Sequence, residues 1–258
     1  MSNDFDILVL RLDAPLMSFG APVVDQQGKI QAFPAQSLVT GLLANALGFD
    51  RSEHERLASL QRRLAYAVRQ DRAGQKITDY QTVDLTPAHM SSYVWTKAGR
   101  KQRRTGKDRE ILHRDYWADA IYTVALTLDP PDEAPPFMDD VEAALKRPER
   151  PLFIGRKTCL PAASLFVNRT RREARSLADG LVAALADPDA APLAERANQP
   201  AGQRYPMWWP LAAGSERRPE EERRQSYTDQ RDWQNQIHVG ERWVAQGKIE
   251  LNTAASDE

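Results

Sequence analysis

Ile7-Leu8-Val9-Leu10-Arg11-Leu12 is a near-continuous aliphatic run closed by Asp13-Ala14-Pro15, and it is short enough to be a strand buried in the middle of a sheet. A strand therefore opens the fold. Past the loop of residues 16–20 and a polar stretch containing Gly28, Phe33-Pro34 leads into a helical pattern over 37–47. Leu38, Leu42, Leu43, Ala46 and Leu47 share one face there, and Gly48 stands at the stop position. A second helical pattern covers 53–64, with Leu57, Leu60 and Leu64 on one side, and Tyr66-Ala67-Val68 then extends to the turn Ala73-Gly74. Residues 76–83 are expected to form a strand paired across that turn.

Further along, Tyr122, Val124, Leu126 and Leu128 alternate with Thr123, Ala125 and Thr127, the pattern of a half-buried antiparallel strand, and Pro130-Pro131 ends it. Residues 137–146 carry Asp139 and Asp140 in a first turn and end on Lys146-Arg147, which complements a helix dipole at both ends. Strand, helices, two strands, insertion, strand and helix predict an α+β chain whose residues 1–150 form a ferredoxin-like, RRM-type domain. The insertion spans about 84–116. Beyond Pro151 the expected elements are a helix over 172–186 and short strands near 205–211, 227–233 and 242–251. These make a smaller β-rich domain over 151–252, with 253–258 as a frayed tail. Residues 216–224 balance four arginines against four glutamates and are expected to be a solvated loop.

At 258 residues and 41% apolar, the chain is long enough to bury a real core. It contains no stretch of eighteen apolar residues, and acids occupy its N-terminal segment, so a cytoplasmic protein without membrane contact is expected. A single cysteine, Cys159, excludes an internal disulfide. The four histidines (His54, His89, His113, His238) lack metal-ligand spacing, so no metal or other cofactor is expected.

One segment breaks the near-neutral balance. Lys97, Arg100, Lys101, Arg103, Arg104, Lys107 and Arg109 face one acid, Asp108, in a run with two glycines and no large apolar residue. Tyr93 and Trp95 precede it, and His113, Tyr116 and Trp117 follow. An exposed basic hairpin tip with stacking partners at its base suits a single strand of nucleic acid, and it reads equally as a solvated loop that binds nothing. In Phe153-Ile154-Gly155-Arg156-Lys157-Thr158 a glycine permits close approach to a phosphate beside two cations, a pattern shared with any turn glycine followed by exposed cations. Met17-Ser18-Phe19-Gly20 offers a hydroxyl and an aromatic face, although Met17 and Phe19 also read as core. His113, Arg114, Asp115 and Tyr116 contain the residue types a metal-independent endoribonuclease uses, and that is the alternative to a purely binding role.

Several separated motifs carry a resemblance. They are the opening strand with Ala14-Pro15-Leu16-Met17-Ser18-Phe19-Gly20, Phe33-Pro34-Ala35-Gln36-Ser37 with its helix, and Asp79-Tyr80-Gln81-Thr82-Val83. Arg114-Asp115-Tyr116 with the strand beyond it, and Leu152-Phe153-Ile154-Gly155-Arg156-Lys157-Thr158-Cys159, complete the set. With these the chain resembles the CasD family of type I-E CRISPR Cascade subunits, within the RAMP superfamily, over about residues 5–167. The resemblance implies a non-catalytic subunit with a ferredoxin-like body and a β-hairpin thumb, the thumb falling on 84–116. It implies binding of the 5′ handle of crRNA, contacts with a CasC-like backbone subunit and a CasA-like large subunit, and only indirect dealings with target DNA. The RNA-binding residues expected on this basis are Met17, Ser18, Phe19, Gly20, Ser37, Tyr80, the seven cations of the basic run, His113, Arg114, Tyr116, Gly155, Arg156 and Lys157. Gln36 and Gln81 stand where the family pattern has a basic residue and a histidine, so no RNA contact is assigned to them.

Overall fold

The computed structural model describes residues 3–21, 27–84, 93–95, 101–103, 109–190, 202–212 and 215–251. The chain opens with β1 (Asn3–Asp13), β2 (Leu16–Met17), β3 (Gln27–Gly28), α1 (Gln36–Ala46), α2 (His54–Arg63) and β4 (Leu64–Arg72). Then come β5 (Gln75–Asp84), β6 (Tyr93–Trp95), β7 (Lys101–Arg103), β8 (Arg109–Ala118), β9 (Ile121–Leu128) and α3 (Met138–Lys146). The last part holds β10 (Phe166–Ala174), α4 (Leu177–Ala186), β11 (Arg204–Pro210), β12 (Glu221–Tyr227), β13 (Gln230–Asp232), β14 (Ile237–Val239) and β15 (Arg242–Glu250).

Seven strands form the main sheet in the order β10-β1-β9-β4-β11-β15-β12, and each neighbouring pair in it is antiparallel. β1, which carries the aliphatic run, is an interior strand, second from the β10 edge and paired on both sides. Because side chains alternate across a strand, Leu8, Leu10 and Leu12 join Val124, Leu126, Leu43, Leu60 and Val141 in one core, on the side of α1, α2 and α3. Ile7 and Ala125 face the other way and meet Leu181 and Leu185 of α4 together with Met207 and Trp209. Each fully buried aliphatic side chain contributes ~1.5–3 kcal/mol, so these two layers, one per face, hold the sheet.

That second layer corrects the reading of β9. All eight of its residues are buried, because α4 covers the face that alternation had assigned to solvent. The expected pairing across Gly74 does not form either: β5 pairs with β8, from Gln75 opposite Ala118 to Asp84 opposite Arg109. Both edges of β4 are already occupied, by β9 and β11, so the chain leaves the main sheet at Gly74. There φ is +63° and a Cβ would sit 2.3 Å from the Ala118 carbonyl oxygen.

The expected helix over 172–186 begins only at Leu177, and the residues before it complete β10. Hydrophobic periodicity is absent from β10, where the strand is stabilised by pairing with acids. Arg169 bonds Asp6 of β1 as well as Asp139 and Glu142 of α3. The balanced segment 216–224 is not wholly a solvated loop: Glu221 starts β12, is 7% exposed, and is held by Arg224 at 2.6 Å and Arg217 at 3.5 Å. Strands from both sides of residue 150 share the main sheet, β10 pairing with β1 and β11 with β4. Residues 253–258, read as a tail, lie outside the described residues.

Candidate functional site

A smaller sheet stands beside the main one. In it β8 is flanked by β2, by β3 running parallel, and by β5. Where this sheet approaches α1 the surface opens into a cleft of about 400 Å³. Ser18, Gly20, Ser37, Arg114, Gly155 and Arg156, drawn from four separated motifs, line it. So do Lys29, Arg231 and His238, and among the described residues no carboxylate lines it. A concave site with cations and no acid suits an anion.

The contact between Ser18 and Gly155 fixes one side. The Ser18 N–H donates to the Ile154 carbonyl at 3.1 Å, and the loop closes on itself through Ile154 N–H to the Cys159 carbonyl at 2.8 Å. Gly155 has φ +97°, and a Cβ there would lie 1.9 Å from the Ser18 carbonyl oxygen, so only glycine fits. Arg156 is aimed by three contacts: the Asp115 carbonyl at 3.1 Å, the Gly28 carbonyl at 3.3 Å, and the Tyr116 ring, whose centroid lies 4.6 Å from the guanidinium. A Cβ on Gly28 would meet guanidinium nitrogens of Arg156 at 2.6 Å and Arg114 at 3.0 Å. Two like charges thus converge over one glycine, an arrangement that a bound anion stabilises. The neighbouring acid makes its close contacts elsewhere: the Asp115 side chain accepts from Lys76 at 2.8 Å and Thr78 at 2.7 Å. Those bonds, Lys76 foremost, hold its carboxyl below the usual carboxylate range.

The far end of the cleft comes from β13 and β14, which form a hairpin. The turn is built by Asp232, whose Oδ1 accepts from the N–H groups of Gln234 at 3.0 Å and Asn235 at 2.9 Å. Gln61 of α2 pins the hairpin by donating to the Arg231 carbonyl and accepting its N–H, both at 3.0 Å. Gln36 adds a third tie, accepting from Gln230 at 3.1 Å while donating to the carbonyls of Gln61 at 2.8 Å and Leu64 at 3.2 Å. Its side chain is fully used inside the protein. Burial, then Arg231, pushes the His238 pKa down.

Of the expected RNA-binding residues, Met17, Phe19 and Tyr116 have their side chains in the core, which corrects any reading of them as exposed stacking faces. Phe19 packs edge-on against Tyr122 at 5.0 Å. Tyr80 and His113 are opposite each other on the β5–β8 ribbon, both exposed, with ring centroids 5.5 Å apart, and Lys157 is exposed outside the cleft. Lys101 and Arg103 belong to β7 and Arg109 to β8, although their side chains are not described. Lys97, Arg100, Arg104 and Lys107 lie outside the described residues. Sequence reasoning missed Lys29, Arg231, Trp233 and His238. The turn residues Asp232 to Asn235 are the local signal by which that hairpin could have been found.

Comparisons with known proteins agree on a family. The model for CRISPR-associated protein (Cas_Cas5) matches residues 7–245. The CRISPR system Cascade subunit CasD of Escherichia coli (strain K12) is 31% identical over 162 residues, 62% of this chain and 69% of that protein. Two solved structures share the fold. One, described as a CRISPR RNA-guided surveillance complex, has a TM-score of 0.63 at 22% identity, covering 95% of this chain and 90% of its own. The other, described as the crystal structure of a Cas protein, has a TM-score of 0.53 at 24% identity, with 95% of each chain covered.

Proposed function

The chain belongs to the Cas_Cas5 family of CRISPR-associated proteins, and from that premise we propose that it is a non-catalytic subunit of a type I-E Cascade surveillance complex, binding the 5′ handle of crRNA. The observation that carries this reading is the convergence of Ser18, Ser37, Arg114 and the Gly155–Arg156 turn on one cationic cleft. A hooked single strand needs cations for its phosphates, and Lys29, Arg114, Arg156 and Arg231 around the cleft supply them. The body is ferredoxin-like: β1, the α1–α2 pair, β4, β9, α3 and β10 follow a βαββαβ order, with the strands adjacent as β10-β1-β9-β4. The insertion between β4 and β9 is the thumb. Its β5–β8 ribbon presents Tyr80 at 58% and Ile111 at 40% exposure beside the basic run, a surface for RNA and for a CasC-like backbone subunit. A CasA-like large subunit packs on the body, and the particle works in the cytoplasm.

Co-expression of the full chain with Cascade subunits and a CRISPR array tests this. A small RNA with one defined 5′ end should copurify with the particle, and ultraviolet crosslinks from that end should fall on this chain. A particle whose handle crosslinks only to other subunits would remove the assignment. Repeat RNA cut by the purified chain, with cutting lost in His113→Ala, would replace it with an endoribonuclease.

A further inference from the structure

The β5–β8 ribbon leaves the body at two corners that lie side by side. β4 passes into β5 through Ala73-Gly74, and β8 passes into β9 through Asp119-Ala120. Gln75 stands opposite Ala118, so both corners are at one level. Each holds a left-handed residue, Gly74 at φ +63° and Asp119 at φ +56°. Glycine takes that conformation freely, whereas an aspartate takes it rarely and only where its surroundings hold it.

Both backbone groups of Asp119 are tied down. Its N–H donates to the Pro15 carbonyl at 3.2 Å, and its carbonyl accepts from Arg72 Nε at 2.6 Å. A bulge at the end of β4 aims Arg72: Asp71 is an extra residue between Gln70, opposite Tyr122, and Arg72, opposite Ile121. The Asp71 side chain is 2% exposed, pairs with the fully buried Arg69, and accepts from the Thr123 hydroxyl of β9. Burial pushes that carboxyl up while Arg69 pulls it down, so the charge is kept inside at a cost. A buried ion pair is weak evidence of stability, and its best-attested use is to fix one arrangement among several.

We propose that Arg72 is a positioning residue for the ribbon: through the Asp119 carbonyl it locks the paired corners, so that the ribbon stands at one angle to the body before any partner binds. The Arg69–Asp71 pair serves this lock by holding the bulge from inside, and the close approach of Gly74 to the Ala118 carbonyl and the Ala120 nitrogen leaves the second corner no room to shift independently. The lock stands on the geometry of this chain alone. Its consequence, a lower ordering cost when RNA and the other subunits assemble on the ribbon, rests on the reading given under Proposed function.

Spin labels on Glu55→Cys of α2 and Thr82→Cys of β5, both exposed positions, report the angle by pulsed electron resonance in the full chain, and the native Cys159 is buried. One narrow distance is expected in the free chain, unchanged in the assembled particle. Arg72→Ala should broaden that distance with little change in melting temperature, because Arg72 is exposed. Asp119→Gly, which keeps the left-handed corner and opens other conformations, should broaden it as well. In either variant the affinity for the remaining subunits and their RNA should fall about fivefold. A broad distance in the free unsubstituted chain that narrows only on assembly overturns the lock, and so does an unchanged width in folded R72A. A particle that forms without RNA on this chain, while the free chain keeps its narrow distance, removes the RNA-binding reading and leaves the lock supported.

Discussion

Asp229 caps a helix that begins at Gln36, far away in sequence: its Oδ2 accepts the Gln36 N–H at 3.1 Å, and its carbonyl accepts the Ser37 N–H at 3.0 Å. The helix has no cap of its own, since Ala35 stands at the N-cap without a side-chain bond. Asp229 is fully buried and paired with Arg242, whose Nη2 also bonds the Tyr66 hydroxyl at 2.8 Å. Tyr66 in turn donates to the Pro34 carbonyl at 2.8 Å. The C-terminal third therefore holds Ser37 in place at the cleft.

Asp229→Ala should unfold the protein at markedly lower urea. Removing one partner of a buried ion pair costs about 3–5 kcal/mol, because Arg242 is left charged and unpaired. Adding Arg242→Met to that variant should recover part of the loss. A single variant as stable as wild type would show that the network carries no net stabilisation.

Gly155→Ala tests the other side of the cleft. The new Cβ would overlap the Ser18 carbonyl oxygen at 1.9 Å in a backbone with φ +97°, so the turn must move. Strain of this kind costs ~1–3 kcal/mol, a modest drop in melting temperature. RNA copurification should fall much further than stability, since Arg156 follows immediately and its aim depends on the turn. Full RNA occupancy in G155A would mean that the turn does not position the site.

Elements with strong hydrophobic periodicity were legible in the sequence. The opening run, the Leu38-to-Leu47 face and the 121–128 alternation correspond to β1, α1 and β9. The misses share a cause: their stabilisation comes from partners remote in sequence. β10 is held by acids of β1 and α3, and Gln36 by Gln61 and Gln230. No local pattern records those contacts. The cleft was half legible for the same reason, because Ser18, Ser37, Arg114 and Gly155 sit in recognisable motifs, whereas Trp233 and His238 arrive through tertiary packing.

Salt dependence measures how many phosphates the chain neutralises. With about five contacts to a single strand, log K against log salt should have a slope of about −3 to −4. Arg114→Gln removes one cation from the cleft and should flatten the slope by about 0.7. Arg103→Glu should flatten it as well if that strand of the insertion touches RNA. A slope in R114Q identical to wild type would take Arg114 out of the footprint.

Proton uptake on RNA binding should report on His238. In the free chain its pKa lies below the ordinary 6.5, first because burial disfavours the cation and then because Arg231 repels it, with Asp229 and the Gln230 carbonyl opposing more weakly. A depressed histidine contributes stability that is fully present above the unfolded value and is lost as pH falls through the folded one. A phosphate seated beside Arg231 reverses the local sign, raising the histidine pKa in the complex. Between the free and bound values the complex holds more proton than the separate partners, so affinity should strengthen as pH falls through the mildly acidic range. Titrating short single-stranded RNA into the full chain at a series of pH values measures this directly. The acid-side gain should vanish in His238→Gln, which keeps a polar side chain but does not titrate. A gain that survives in H238Q would assign the proton to another group and place the phosphate away from the hairpin.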